Sequence, residues 1–252
     1  MLRIKRIAHT DEAPLVDHLT ELRSRIVASL AAFGVALGLC FWQNAMLLEL
    51  LRTPIGDRQL ITLGVAEPFT TSLTVSAYAA VILALPVLLY QLYAFTVPAL
   101  APGHQRAAKG LAVLVPVLFL AGAAFAFLVV VPAALEFLLH FNADQFNLEL
   151  RAREYYSFVT LTTLAVGAVF QVPIAILALT RLGVVTPEGL RANRRYAYLA
   201  CAVVAAALPG IDPVTMLLEM VPLIGLFEIS LVLARFVRAN PAPEPETSPS
   251  AP

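Results

Sequence analysis

The feature that most constrains this chain is a series of long apolar blocks. Six can be drawn: Ile26–Leu47, Leu73–Val97, Leu111–Leu135, Phe158–Leu179, Tyr196–Leu208 and Met216–Ala234. A helix of about 20 apolar residues covers the roughly 30 Å of bilayer hydrocarbon, and the first four blocks reach that length. Inside hydrocarbon the backbone must satisfy its own hydrogen bonds, so such blocks fold as helices. Side chains are 60% hydrophobic and only 13% charged. The expected fold is therefore an all-α polytopic membrane protein with six transmembrane helices. The last two are expected to be short, because Tyr196–Leu208 would reach only about 20 Å. Between them lies "PGIDP", a turn of Pro, Gly and Asp. A short hairpin there must submerge its tip or thin the bilayer locally.

Lysine and arginine set the orientation. With six spans, one side holds both termini and two loops, and it carries most of the basic residues, among them Arg23, Arg106, Lys109, Arg191, Arg194 and Arg235. The other side carries Arg52, Arg58, Arg151 and Arg153. Both termini are expected to be cytoplasmic. Three regions follow: residues 1–25 as a cytoplasmic N-terminal amphipathic segment, 26–236 as the six-span domain, and 237–252 as a disordered tail rich in Pro and Ser. In the first region Asp11 is read as a helix cap, with Pro14 early in the helix. Leu15, Leu19, Leu22 and Ile26 recur at helical spacing, with Asp17 and Glu21 on another face, as in an interfacial helix running into the first span. The N-terminus has no apolar core of its own and is not read as a cleaved signal peptide. Cys40 and Cys201 each lie inside an apolar block and are read as small apolar filler.

Five segments in order carry a family resemblance: "HLTELRSRI", "LPVLLYQLYAFTVPAL", "VFQVPI", "LGVVTPEGLRANRRYA" and "DPVTMLLEMVPLIGLFEIS". Together they resemble the C subunit of the twin-arginine protein translocase, the TatC family, from about His18 to Phe236. The resemblance implies a receptor and scaffold rather than an enzyme. It implies binding of signal peptides with paired arginines, and movement of folded proteins across a bacterial-type cytoplasmic (inner) membrane by the proton-motive force. The implied partners are small single-span A-type and B-type subunits, further copies of the chain and the lipid bilayer. The implied shape is a concave, glove-like arrangement of the helices. Neither cofactor nor metal is implied, and nothing points to nucleic acid.

The resemblance also assigns residues. Glu21 matches the family's acidic position in the N-terminal signature and is expected to hold a signal-peptide arginine through charge-assisted hydrogen bonds. Its i,i+4 spacing to Arg25 also allows a plain surface ion pair. Arg23 is expected to orient that carboxylate or meet lipid phosphate, and Asp17 to share the second arginine. His104 stands in the first cytoplasmic loop where the family usually has Glu. Gln171 stands where the family usually has Glu in the fourth span. It is expected to give a polar contact to a partner helix, next to the helix breaker Pro173. Asp212 is expected to cap its turn, Glu228 to pair with Arg194 or Arg195, and Glu219 to be solvated near Asp212. Pro54, Pro86 and Pro173 are expected to be structural, with Pro54 and Pro68 in an outer loop that packs as a cap.

Two other classes compete. A small-solute or ion secondary transporter wants ionisable groups clustered at the midplane, usually within repeats. No internal repeat is visible, and Gln171 is the polar residue at that depth. An intramembrane enzyme needs a nucleophile–base pair or metal ligands at depth. His9, His18, His104 and His140 all fall outside the apolar blocks.

Overall fold

The structure is a computed structural model, and it describes residues 15–96, 105–141, 143, 145, 148–181, 183–210 and 212–236. The first helix, α1 (Leu15–Trp42), runs without interruption from the amphipathic segment into the first apolar block. No hinge divides the two, so the described part of residues 1–25 forms the first turns of the spanning helix. Asp11, Pro14, His104 and residues 237–252 lie outside the described residues. At Gln43 the backbone leaves the helical path and α2 (Asn44–Arg52) turns off. The end of the block drawn to Leu47 therefore belongs to this outer helix and not to the first span.

The second span is α3 (Glu67–Thr96), with Pro68 tolerated in its first turn and Pro86 in its interior. α1 and α3 form the most extensive pairing of helices in the molecule. The third span is built from α4 (Gln105–Phe125), a π-helical stretch at Ala126–Val130 and α5 (Val131–His140). Pro132 follows the π stretch and lacks an N–H to donate back into it. The fourth combines α6 (Ala152–Val169) with α7 (Val172–Arg181). The chain then forms α8 (Pro187–Ala192), α9 (Arg194–Ala207) and α10 (Pro213–Phe236). Among the described residues, five stretches are long and apolar enough to cross a membrane: Leu19–Trp42, Glu67–Leu92, Leu114–His140, Ala152–Thr180 and Pro213–Arg235.

The expectation of two short final helices holds for α9 and fails for α10. α9 has 14 residues, about 21 Å. α10 has 24 residues, about 36 Å, which is a full span. The sequence reading assigned Pro213 to the turn, but proline is well suited to the first turn of a helix, where its missing N–H costs nothing. Asp212 supplies the cap, accepting from the Thr215 N–H at 2.8 Å. The tip of the α9–α10 hairpin sits deep: Pro209 C=O accepts from the Thr162 hydroxyl at 3.1 Å. Thr162 lies ten residues into α6, so the tip is about 15 Å below the outer end of that helix.

The α2–α3 and α5–α6 connections are tied into one cap. β1 (Leu60–Ile61) pairs in parallel with β2 (Leu150–Arg151). Arg151 donates to both oxygens of Glu67, at 2.9 and 3.3 Å, a fork-on-carboxylate geometry. Glu67 Oε2 also accepts from the N–H groups of Leu63 and Gly64. Its neighbour Glu67 pushes the Arg151 pKa up, so the guanidinium stays charged. Tyr155 O–H donates to Leu51 C=O at 2.7 Å, and Tyr156 O–H donates to Leu48 C=O at 3.3 Å. Beneath them Ile55, Val75, Val131, Leu135 and Val159 form an apolar core. Pro54 is the second residue of the short 3-10 turn Thr53–Ile55 that delivers Ile55 to it.

Candidate functional site

Polar side chains gather at four places on this frame. At the inner end of α1, Glu21 Oε1 accepts from Arg25 Nη2 at 2.5 Å and from Arg25 Nε at 3.2 Å. Arg25 Nη1 reaches Gln91 Oε1 on α3 at 3.3 Å. The group is half-buried, with Glu21 31% and Arg25 21% exposed at the side chain. Arg25, Gln91 and Ser29 border a cavity of about 390 Å³ between α1 and α3, otherwise lined by apolar residues such as Phe33, Leu88 and Phe95. Arg23 was expected to orient Glu21 or to meet lipid phosphate. It is exposed, and Arg25 holds the carboxylate instead. The reason is geometric: i,i+4 neighbours share a helix face and i,i+2 neighbours do not. The side chain of Asp17 lies outside the described residues, as does His104 altogether. Gln91 was not foreseen, since its role needs the α1–α3 register.

Gln171 sits at the break between α6 and α7. Pro173 has no N–H for the Val169 carbonyl, and the chain tightens there: the Gln171 N–H bonds Ala168 C=O, three residues back, at 3.0 Å. Phe170 is seated on Gly122 of α4, where an added Cβ would come within 2.5 Å of the ring. The Phe125 ring lies 5.9 Å away, centroid to centroid. Both polar atoms of the Gln171 side chain are buried and have no hydrogen-bond partner among the described residues. Such an amide at membrane depth is incomplete until something else supplies its bonds.

At the inner end of the last hairpin Glu228 Oε2 accepts from Arg194 Nη2 at 2.7 Å, and Glu228 Oε1 accepts from Tyr198 O–H at 2.6 Å. Of the two arginines expected for Glu228, the partner is Arg194. Arg195 stacks on the Tyr196 ring at 4.7 Å. At the outer end of α10, Asp212 is the expected cap. Glu219 contradicts its expectation. It is 2% exposed, not solvated, and neither carboxylate oxygen has a hydrogen-bond partner among the described residues. The reading placed it by its distance from the turn, while its helical phase puts it on the inward face of α10. Cys40 and Cys201 are buried and unpaired. Among the described residues no three His, Cys, Asp or Glu side chains converge as metal ligands do.

This order of broken, capped and clamped helices has known counterparts. The family model described as Sec-independent protein translocase protein (TatC) matches residues 17–222. The chain belongs to the TatC family. Among TatC proteins it is 37% identical to that of Aquifex aeolicus over 88% of this chain and 95% of that one. It is 33% identical to TatCd of Bacillus subtilis over 90% and 93%, and 34% identical to the chloroplastic TATC of Arabidopsis thaliana over 89% and 67%. A crystal structure of the twin-arginine translocase receptor TatC superimposes with a TM-score of 0.75 at 36% identity, over 87% of this chain and 99% of that one. The same receptor in DDM gives 0.77. The all-α membrane fold is thus that of TatC.

Proposed function

We propose that this chain is the receptor and scaffold subunit of a twin-arginine translocase. It binds signal peptides with paired arginines and, with small single-span A-type and B-type subunits, moves folded proteins across the cytoplasmic membrane. The proton-motive force drives the movement. Both termini face the cytoplasm. The role is that of a translocase component and not of an enzyme, in keeping with relatives that are named protein translocases and translocase receptors.

The supporting observation is the Glu21–Arg25–Gln91 cluster. It offers a carboxylate at the inner end of two tightly paired helices, where an ion pair is less screened than in bulk water. An incoming arginine competes with Arg25 for Glu21, and Gln91 Oε1 keeps hold of Arg25 as it yields. Asp17 and His104 complete the recognition surface. Gln171, with its unpartnered amide, gives the polar contact for a single-span partner helix. A purified-component assay tests the reading: a fluorescent twin-arginine peptide should bind the detergent-solubilised protein, and a twin-lysine version should bind it much more weakly. Equal binding of the two would refute it. The transporter reading gains nothing from the family match, since the relatives are named protein translocases.

A further inference from the structure

Three buried polar side chains at the start of α10 fall on one stripe. Asp212, Thr215 and Glu219 are spaced three and then four residues apart, so they stack on one helix face. They are 4%, 0% and 2% exposed. Further along, the stripe carries Leu223, Phe227 and Leu231, all buried, and Ser230, whose hydroxyl donates to Leu226 C=O. Asp212 Oδ2 accepts from the Thr215 hydroxyl at 2.5 Å while Oδ1 holds the Thr215 N–H. Thr215 sits about 4.5 Å along the axis from Asp212 and about 6 Å from Glu219. One water or one rotamer change spans such a gap. The Glu219 carboxylate, unpartnered and buried, is a group whose ligand has to be named.

The surroundings narrow the ligand. Asp212, the nearest charged group on the stripe, is acidic, and among the described residues no cation pairs with Glu219. Among the helices against α10, α7 offers no titratable group between Val172 and Thr180, and the π-helical stretch offers none. On α5, Glu136 and His140 are exposed and pair with each other. On α9, Arg194 and Tyr198 are engaged by Glu228, and Cys201 lies in an apolar cluster with Leu223 and Phe227. On α8, Glu188 and Arg191 belong to the opposite end of the hairpin. A proton is the ligand that removes the charge and needs no added room.

We infer that Asp212, Thr215 and Glu219 form a dead-ended proton site entered from the hairpin tip, with Glu219 as the group that binds the proton. The tip is the outer end in the orientation proposed above, and the inference rests on that reading for its sidedness alone. Asp212 takes a proton from water at the tip. The Thr215 hydroxyl turns and gives its own proton to a Glu219 oxygen, and it receives the proton of Asp212. One O–H bond forms on Glu219, and Thr215 and Asp212 return to their starting states. Release runs the same steps backward.

Infrared difference spectra of the protein in liposomes test this, with the membrane side of each terminus fixed by labelling a cysteine at Ser250. A pH step applied at the tip side should change a carboxylic-acid C=O band that Glu219→Gln abolishes. Thr215→Val should keep the band but slow its response by roughly tenfold or more. Elution profile and thermal transition check the folding of each variant. If Glu219→Gln does not fold, the Thr215→Val kinetics carry the test. A band that survives Glu219→Gln, that answers only to the opposite side, or that responds at the wild-type rate in Thr215→Val overturns the inference. No signal peptide enters the experiment, so its failure is distinct from a failure of the receptor reading.

Discussion

Glu21 and Gln171 pose opposite problems. Glu21 already has a cation, Arg25, and must give it up to act. Gln171 has no partner within the described chain and must find one. For Gln171 the account predicts that Gln171→Glu is tolerated, since a neutral carboxylic acid offers a similar donor and acceptor. Gln171→Leu should insert normally yet weaken association with the single-span subunits by about 1–2 kcal/mol. Disulfide crosslinking between cysteines placed beside residue 171 and on the partner span reads the difference. Equal crosslinking and equal export in the Leu variant would reduce Gln171 to a tolerated polar residue. Gly122 is a stricter position. Gly122→Ala would drive its Cβ to 2.5 Å from the Phe170 ring, and such overpacking costs about 1–3 kcal/mol. A lowered thermal transition in detergent is the expected result, and an unchanged one would mean the ring is not held there.

At the scale of elements, existence was far more legible than extent. Apolar blocks announce helices, because hydrocarbon leaves the backbone no alternative. Their ends depend on contacts that are distant in sequence. The first block was drawn through Gln43 into α2 because Ala45, Met46 and Leu47 are as apolar as a span; α2 turns off instead, with Leu47 packed on the core of the cap and Met46 left exposed. Nothing local announces the parallel pairing of Leu60 with Leu150, the clasp of Glu67 by Arg151, or the reach of Tyr155 to Leu51. These are contacts across dozens of residues, and only the spans bring them together. The same limit explains why Arg25 was weighed as a surface pair while Gln91 was missed. The cap can be tested as a unit. Tyr155→Phe leaves Leu51 C=O without its donor and should cost about 1–2 kcal/mol. Glu67→Gln should loosen the Leu63–Gly64 turn, and limited proteolysis from the outer side should cut the following segment faster. Resistance equal to wild type in both variants would show that the strand pair alone holds the cap.

Among the described residues five stretches are long enough to span, and α9 is shorter, with its hairpin tip about 15 Å along α6 from the N-terminal end of that helix. The proposed orientation, with both termini cytoplasmic, rests on the lysine and arginine asymmetry. Single cysteines at Asp57 and Ala143 should label from outside and a cysteine at Ser250 from inside. Labelling of Ser250→Cys from outside would exclude the even number of crossings. Every part of the functional account converges on recognition at the inner end of α1. The most direct measurement is therefore the affinity of a labelled twin-arginine peptide for the solubilised wild-type protein and for Glu21→Gln. The account predicts a folded, inserted variant that binds roughly ten- to a hundredfold more weakly, the loss expected for one partner of a charge-assisted pair. Unchanged affinity in Glu21→Gln would contradict it.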